Sequence, residues 1–477
     1  MRKKIFASVI VIAMAVTLLG GCAPKTSNKE GDVPTVTWYI TNDTLTDRQT
    51  VLDVFNEKLV EKIGAKLDMQ FIDNGSYNDK MNMIIASGKE FDLCFTSDWT
   101  NKFLPNVKKG GYMDITELLE KETPGLKAAL PDYLWSAGTV NDKIYAVPNN
   151  QVIFYQIALC FSQEIAEKYE FDVDSLKTTT DIEPLLAKVK ENEPNMFPYR
   201  YGYGITTFIS PYYEQIEPST GIAIRKDGTG EPVVLADTPE FRDGINILTD
   251  WYDKGYIRSD INSMINDDAE IKAGKYAVTQ GVYKPGGTVT GDGKEAYAIP
   301  IEQPYLKANA GMPAMTSVSR TSKNPEKALK LLEVINTDKE MLNLLSFGIE
   351  GRHYTKVNEN TIELIPDTGY NISAWKIGNQ FNALFLKGQE DTIWDETIAL
   401  NDQSVKSPIS GFVFDTDPVK TELSQLATVV KEYSAVYNGS EKLGELYQTY
   451  LKKLDEAGIQ TVREEVKKQI EDWKAGK

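Results

Sequence analysis

Histidine occurs once in the 477 residues and cysteine three times. The single His353 excludes multi-histidine metal sites and leaves at most one candidate for a histidine-dependent triad. No C-x-x-C pair, G-K-[ST] phosphate loop or G-x-S-x-G elbow is present. Positive charge is also scarce, with 52 Lys and Arg against 69 Asp and Glu for a formal net charge of -17. Binding a phosphate backbone relies on clustered Lys and Arg, so this balance argues against nucleic acid as a partner. Beyond residue 19 no apolar run approaches the roughly 20 residues that a membrane-spanning helix needs. Cys94 in FDLCF and Cys160 in IALCF sit within strand-like apolar runs and read as buried unpaired thiols, with a disulfide between them left open.

What is present begins at the N-terminus. Arg2, Lys3 and Lys4 precede an apolar run from Ile5 to Leu19, the order of parts in an export signal. Leu19-Gly20-Gly21-Cys22 resembles the lipobox of bacterial lipoproteins, which implies cleavage after residue 21 and a diacylglyceryl group on Cys22. Two acyl chains hold a protein stably to a membrane where one comes and goes. The expectation is a body lipid-anchored on the outer face of the cytoplasmic membrane, in an organism that the resemblance makes Gram-positive. Residues 22–33 are polar and without periodicity, as in a flexible tether.

The folded part starts with a β-branched and aromatic strand, VTWYI (36–40). Thr46 to Gln49 has the spacing of a capping box, after which Val51, Phe55 and Leu59 mark a helix that Gly64 stops. A strand in KLDMQFI, a helix from about Tyr77 to Ser87 closed by Gly88, and a strand in FDLCF complete a β-α-β-α-β unit. Right-handed crossovers make such a unit a parallel sheet, whose ligands bind beyond the carboxyl ends of its strands. That rule selects residues 41–44 and 96–99. Downstream, Asn324-Pro325 opens a helix carrying Ala328, Leu332 and Ile335, and Thr337 to Glu340 is a second capping-box pattern. From Asp417 the pattern is helical, with starts at Asp417-Pro418, Ser440 and Thr461.

Several of these stretches together resemble the extracellular solute-binding proteins of ATP-driven importers, in the maltose-binding-protein-like group. They are NDKIYAVPNN (141–150), SRTSKNPEKALKLLEVINTDKE (319–340) and FGIEGRHY (347–354). GYNISAWKIGNQF and GFVFDTDPVKTELSQL resemble the C-terminal extension of a Gram-positive lipoprotein subgroup. The resemblance implies an α/β, two-lobed fold, each lobe a mostly parallel sheet flanked by helices and discontinuous in sequence, with a helical C-terminal extension. On it, 34–148 with 303–348 form lobe 1, and 149–302 with 349–477 form lobe 2, including an extension over about 411–477. It also implies hinge closure on a solute, handover to membrane permease subunits of an ABC importer, a monomer, and no catalytic activity or cofactor.

Aromatic residues are 10% of the chain. A sugar ring stacks its apolar face on an aromatic ring, while its hydroxyls need fixed donors and acceptors, so aromatics beside Asp, Asn or Arg at strand ends are the pattern sought. Asn42, Asp43, Asp98 and Trp99 fit it on the first lobe. Asn150, Tyr212, Tyr283, Arg352, Trp375 and Asn379 are candidates from the crossing and the second lobe. An oligosaccharide is the expected ligand; a peptide or other small solute on the same fold, and a secreted glycoside hydrolase with paired carboxylates, remain open. DVDSLKTTTDIE (172–183) carries acidic residues but has Leu176 and Lys177 where a calcium loop needs a third oxygen ligand and a glycine. Its acidic residues are expected to cap the following helix.

Overall fold

Strand Thr35–Thr41 buries five of its residues because helices cover both faces of its sheet. The computed structural model describes residues 33–42, 45–217, 220–264, 266–286 and 296–476. The export signal, Cys22 and Asp43 lie outside them. Thr35–Thr41 pairs in parallel with Lys66–Ile72 on one side and Leu93–Thr96 on the other. Helices Arg48–Ile63 and Asn74–Ser87 make the connections, and each ends on a left-handed glycine, Gly64 (φ 62°) and Gly88 (φ 68°). Met315–Val318 then pairs antiparallel with Leu93–Thr96, and Val147–Pro148 completes the five-stranded sheet. Cys94 is buried in this sheet and Cys160 lies in the other lobe, so the two thiols are free.

The second lobe is built on a four-stranded sheet in the order Ala296–Pro300, Ile157–Ser162, Tyr276–Val282, Phe197–Tyr199. The expectation of a mostly parallel sheet is corrected here: only Tyr276–Val282 and Phe197–Tyr199 run parallel. The cause is the discontinuous chain. Ile157–Ser162 carries the chain away from the first lobe and Ala296–Pro300 brings it back, so these neighbours must run in opposite directions.

Two large cores follow the lobes, one around Trp38, Phe55 and Phe95, the other around Phe161, Tyr199 and Trp251. They also correct the boundary drawn at 349. Tyr370, Ile372 and Ile377 belong to the first core, and residues between 347 and 394 form a small satellite cluster around Ile362. The chain therefore does not leave the first lobe at 349. Tyr370 Oη donates to the Leu345 carbonyl (2.7 Å) and Asn382 Nδ2 to that of Asn336 (2.9 Å), which ties this stretch to the first lobe. The chain passes to the second core only at 404–409, where Ile409 and Phe412 enter it.

Three passages thus join the lobes, and they are bonded to one another. Tyr155 and Tyr305 exchange backbone bonds of 2.8 and 3.0 Å, and Tyr305–Leu306 pairs with Val405–Lys406. Asn401 accepts from the Ile153 and Phe154 amides and donates to the Gln151 carbonyl (2.8 Å). Helices Lys420–Glu432, Glu445–Glu456 and Ile459–Ala475 then pack on the second core through Leu426, Tyr450 and Val466. The expected start at Ser440 moves to Glu445, behind Gly444.

Neither expected capping box forms. Asp47 precedes helix Arg48–Ile63 without a side-chain cap bond and accepts from the Thr50 hydroxyl and from Arg352, while Asp338 accepts from the Met341 amide (3.1 Å) in place of Thr337. In the acidic 172–183 loop Asp172 accepts from Asp174 N and Asp181 forms a capping box with Thr178, so these residues cap the short 3-10 turns Val173–Ser175 and Thr179–Ile182 and not helix Glu183–Asn192, which has no side-chain cap.

Candidate functional site

Leu93–Thr96 runs toward the passages, as do Thr35–Thr41 and Val147–Pro148, so Asn42, Asp98, Trp99, Asn149 and Asn150 gather at one end of the first sheet. The turn after Thr96 is set by hydrogen bonds: Ser97 Oγ accepts from the Thr100 amide (2.8 Å) and donates to its carbonyl. It leaves the Trp99 ring 51% exposed, far more than packing requires of an indole, with its N–H donated to Pro313 O (2.9 Å). Phe95, wholly buried, lies 6.0 Å from the Trp99 ring and 6.2 Å from that of Trp375. Two of the expected aromatics therefore flank a third ring that the sequence pattern did not single out. Asn149 Nδ2 donates to the Trp375 carbonyl (2.8 Å) and Asn150 O accepts from Gln380 N (2.8 Å), so the first passage holds the Trp375 segment in place.

Polar groups border these rings. Asp98 Oδ2 accepts from Asn309 Nδ2 (2.6 Å), while its buried Oδ1 has no hydrogen-bond partner among the described residues. Burial raises the Asp98 carboxyl above its ordinary range, against the opposing pull of Asn309 and Lys307. Lys376 Nζ bonds Asn42 Oδ1 (3.2 Å) and Thr41 O (3.1 Å), which accounts for the burial of Asn42.

The passages carry a denser ionic network. Lys226 and Glu302 pair at 3.2 Å with side chains only 10% and 2% exposed, and Glu302 also accepts from Ile157 N (2.8 Å). Glu214 accepts from Tyr305 Oη (2.9 Å) and Ala308 N (2.6 Å). Lys307 Nζ sits 3.3 Å from the Tyr155 ring centroid. Burial pulls the Lys226 and Lys307 ammonium groups below their ordinary values, with Glu302 and Glu214 respectively opposing.

The remaining candidates divide. Tyr283 donates its amide to Gln156 O (2.7 Å) at the second-lobe side of the first passage. Asn379 spends its carbonyl oxygen on the Phe381 amide (3.2 Å), capping a short 3-10 turn. Tyr212, 51% exposed, stands apart from the tryptophans and borders a cavity of about 280 Å³ with Thr178, Phe208, Pro211 and Glu240, all within the second lobe. Arg352 makes a structural tie: its guanidinium grips Asp47 through Nε (2.5 Å) and Nη2 (2.9 Å), and His353 Nε2 shares that carboxylate (2.9 Å). Among the described residues no group of three or more His, Cys, Asp or Glu is placed to hold a metal ion, and no helix is long and apolar enough to cross a membrane.

The sequence profile of the bacterial extracellular solute-binding proteins fits residues 42–342. The chain belongs to that family. Residues 408–475 match a domain of unknown function that coincides with the helical extension. A carbohydrate ABC transporter substrate-binding protein of Streptococcus pneumoniae is 28% identical over 493 aligned positions, 99% of this chain and 98% of the relative. Lipoprotein LipO of Bacillus subtilis is 24% identical over 74% of each chain. Among solved structures, the N-glycan transport solute-binding protein of S. pneumoniae superposes with a TM-score of 0.82 at 26% identity, covering 92% of this chain and 98% of that one. The same protein in complex with Man1GlcNAc gives 0.70, and in complex with Man5GlcNAc 0.65.

Proposed function

We propose that this protein captures an oligosaccharide between its lobes and delivers it to the permease subunits of an ABC importer, as a monomer held to the outer face of the membrane through lipidated Cys22. The observation that carries the sugar assignment is the half-exposed Trp99 ring, with Trp375 completing the aromatic group around Phe95. An indole stacks on the apolar face of a pyranose. The streptococcal relatives, described as carbohydrate and N-glycan binding, support the same ligand class. LipO supports the lipid anchor.

Closure follows from differential affinity: a solute that touches both lobes favours the arrangement in which both contacts are made. A micromolar dissociation constant corresponds to about 8 kcal/mol, within reach of two stacking rings and several hydrogen bonds. Binding is favoured over glycoside hydrolysis because the streptococcal relatives are described as substrate-binding and transport proteins. Asn42, Asp98, Trp99, Asn150, Tyr283 and Trp375 are the proposed ligand contacts, with Lys307 and Lys376 added.

Isothermal titration against N-glycan fragments, other oligosaccharides and peptides tests the assignment. Binding of at least one glycan, with no turnover of it, is expected. Binding of peptides alone would overturn the sugar reading, and hydrolysis of a glycan would overturn the transport reading. For the anchor, Cys22→Ser should release the protein from the membrane fraction.

A further inference from the structure

The extension over 408–475 is built on the second lobe yet does not stay there. Its helices belong to the second core through residues such as Leu426, Tyr450 and Val466. The segment that leads into them behaves otherwise. Gly411 N donates to Ala308 O on the second passage (2.9 Å), Val413 packs against the first core, and Phe414 against the second. Asp415 follows, and it is held twice by the last helix: its amide donates to Gln469 Oε1 (2.8 Å), and its carbonyl accepts from Gln469 Nε2 (2.9 Å). So positioned, its carboxylate reaches Lys108 Nζ at 2.6 Å, at the end of helix Phe103–Lys108 on the first lobe. That helix continues directly from the Asp98–Trp99 turn.

We propose that the extension is an interlobe brace: residues 411–415 strap the second lobe to the first, and the Asp415–Lys108 pair biases the lobes toward the arrangement seen here, weakening solute affinity by that bias. The inference rests on the solute-closure reading for its effect on affinity, though not for the contact itself. The arrangement that carries the pair superposes at 0.82 on the streptococcal N-glycan-binding protein, against 0.70 and 0.65 for that protein's two glycan complexes. The two side chains are 58% and 42% exposed. An ion pair so open to water is weak and screened by salt, which suits a bias rather than a lock. Any free energy it gives to one arrangement must be overcome when the other is selected, so it appears in the apparent dissociation constant.

The test is a charge cycle over Lys108→Gln, Asp415→Asn and the swapped pair Lys108→Asp with Asp415→Lys. Each single variant should tighten glycan binding by about twofold to fivefold at low salt. The swap should return it toward wild type, and the differences should fade at high salt. Spin labels at Met83→Cys and Leu446→Cys, exposed on opposite lobes, in a Cys160→Ser background, read the interlobe distance without any ligand. The single variants should gain a shorter-distance population that the swap removes. Unchanged distances together with unchanged affinities, or weaker binding in the single variants, would overturn the brace. If no glycan binds, the solute assignment fails, and the ligand-free distances still decide the brace.

Discussion

The two sides of the proposed site are made of different material. The first-lobe side is aromatic, with Trp99 and Trp375 around Phe95. The passage side is ionic: Lys226, Glu302, Glu214 and Lys307 are gathered where the three segments meet, and most of their bonds run to the protein itself. One side offers surface to a ligand, and the other keeps the geometry from which it is offered. If this division is right, substitutions on the passage side and under the rings destabilise the fold, while substitutions of the exposed ring cost affinity alone. Glu302→Ala should have the largest effect, about 3–5 kcal/mol, because it leaves the buried Lys226 ammonium without its counter-charge. Phe95→Ala should cost a similar amount, about 3–5 kcal/mol, by opening a cavity beneath both indoles. Urea unfolding measures each. A loss under 1 kcal/mol for Glu302→Ala would mean that the network does not hold the passages.

Trp99→Ala sharpens the comparison from the other direction. Half of that ring is in solvent, so its removal should leave the unfolding midpoint nearly unchanged. Its loss should raise the glycan dissociation constant by about tenfold to a hundredfold, in the range of an aromatic hot spot. Trp375→Ala should weaken binding too, with some loss of stability, since that ring is partly buried against the first core. A Trp99→Ala protein that binds as the wild type does would move the ligand away from this turn, and the cavity beside Tyr212 would then be the next place to probe.

The same division explains what could be read from sequence. The alternation of strand and helix up to Thr96, with Gly64 and Gly88 as stops, is local chemistry, and the carboxyl-end rule then selects Asn42, Asp98 and Trp99, which the fold places at one end of the first sheet. Phe95 was hidden because a ring in a continuously apolar strand looks like any other core residue. Lys226, Glu302 and Lys307 were hidden for the opposite reason. They are polar residues far apart in sequence, brought together only because the chain crosses between lobes, and no periodicity marks a crossing. The third passage at 404–409 was missed on the same ground, since residues 349–386 fold back on the first lobe through contacts such as Asn382 with Asn336 and Arg352 with Asp47. Arg352 shows the limit of reasoning from residue type: a guanidinium suits a sugar, but here a carboxylate reached it first.

That corner also supplies the smallest expected effect and a contrast with the buried Lys226–Glu302 pair. Arg352 and Asp47 are 55% and 17% exposed in their side chains, so the tie works in water and should respond to salt, whereas the passage network should not. The Arg352 guanidinium, the Thr50 hydroxyl and His353 hold the Asp47 carboxyl well below the usual carboxylate range. A carboxylate whose value is depressed on folding stabilises the fold above its unfolded value, near 4, and loses that contribution as pH falls toward the depressed one. Asp47→Asn should therefore lower the melting temperature slightly at pH 7, by less at high salt, and the gap to wild type should close as the pH is brought below 4. A gap that persists unchanged at pH 3 and in 1 M salt would mean that Asp47 acts through packing and not through its charge.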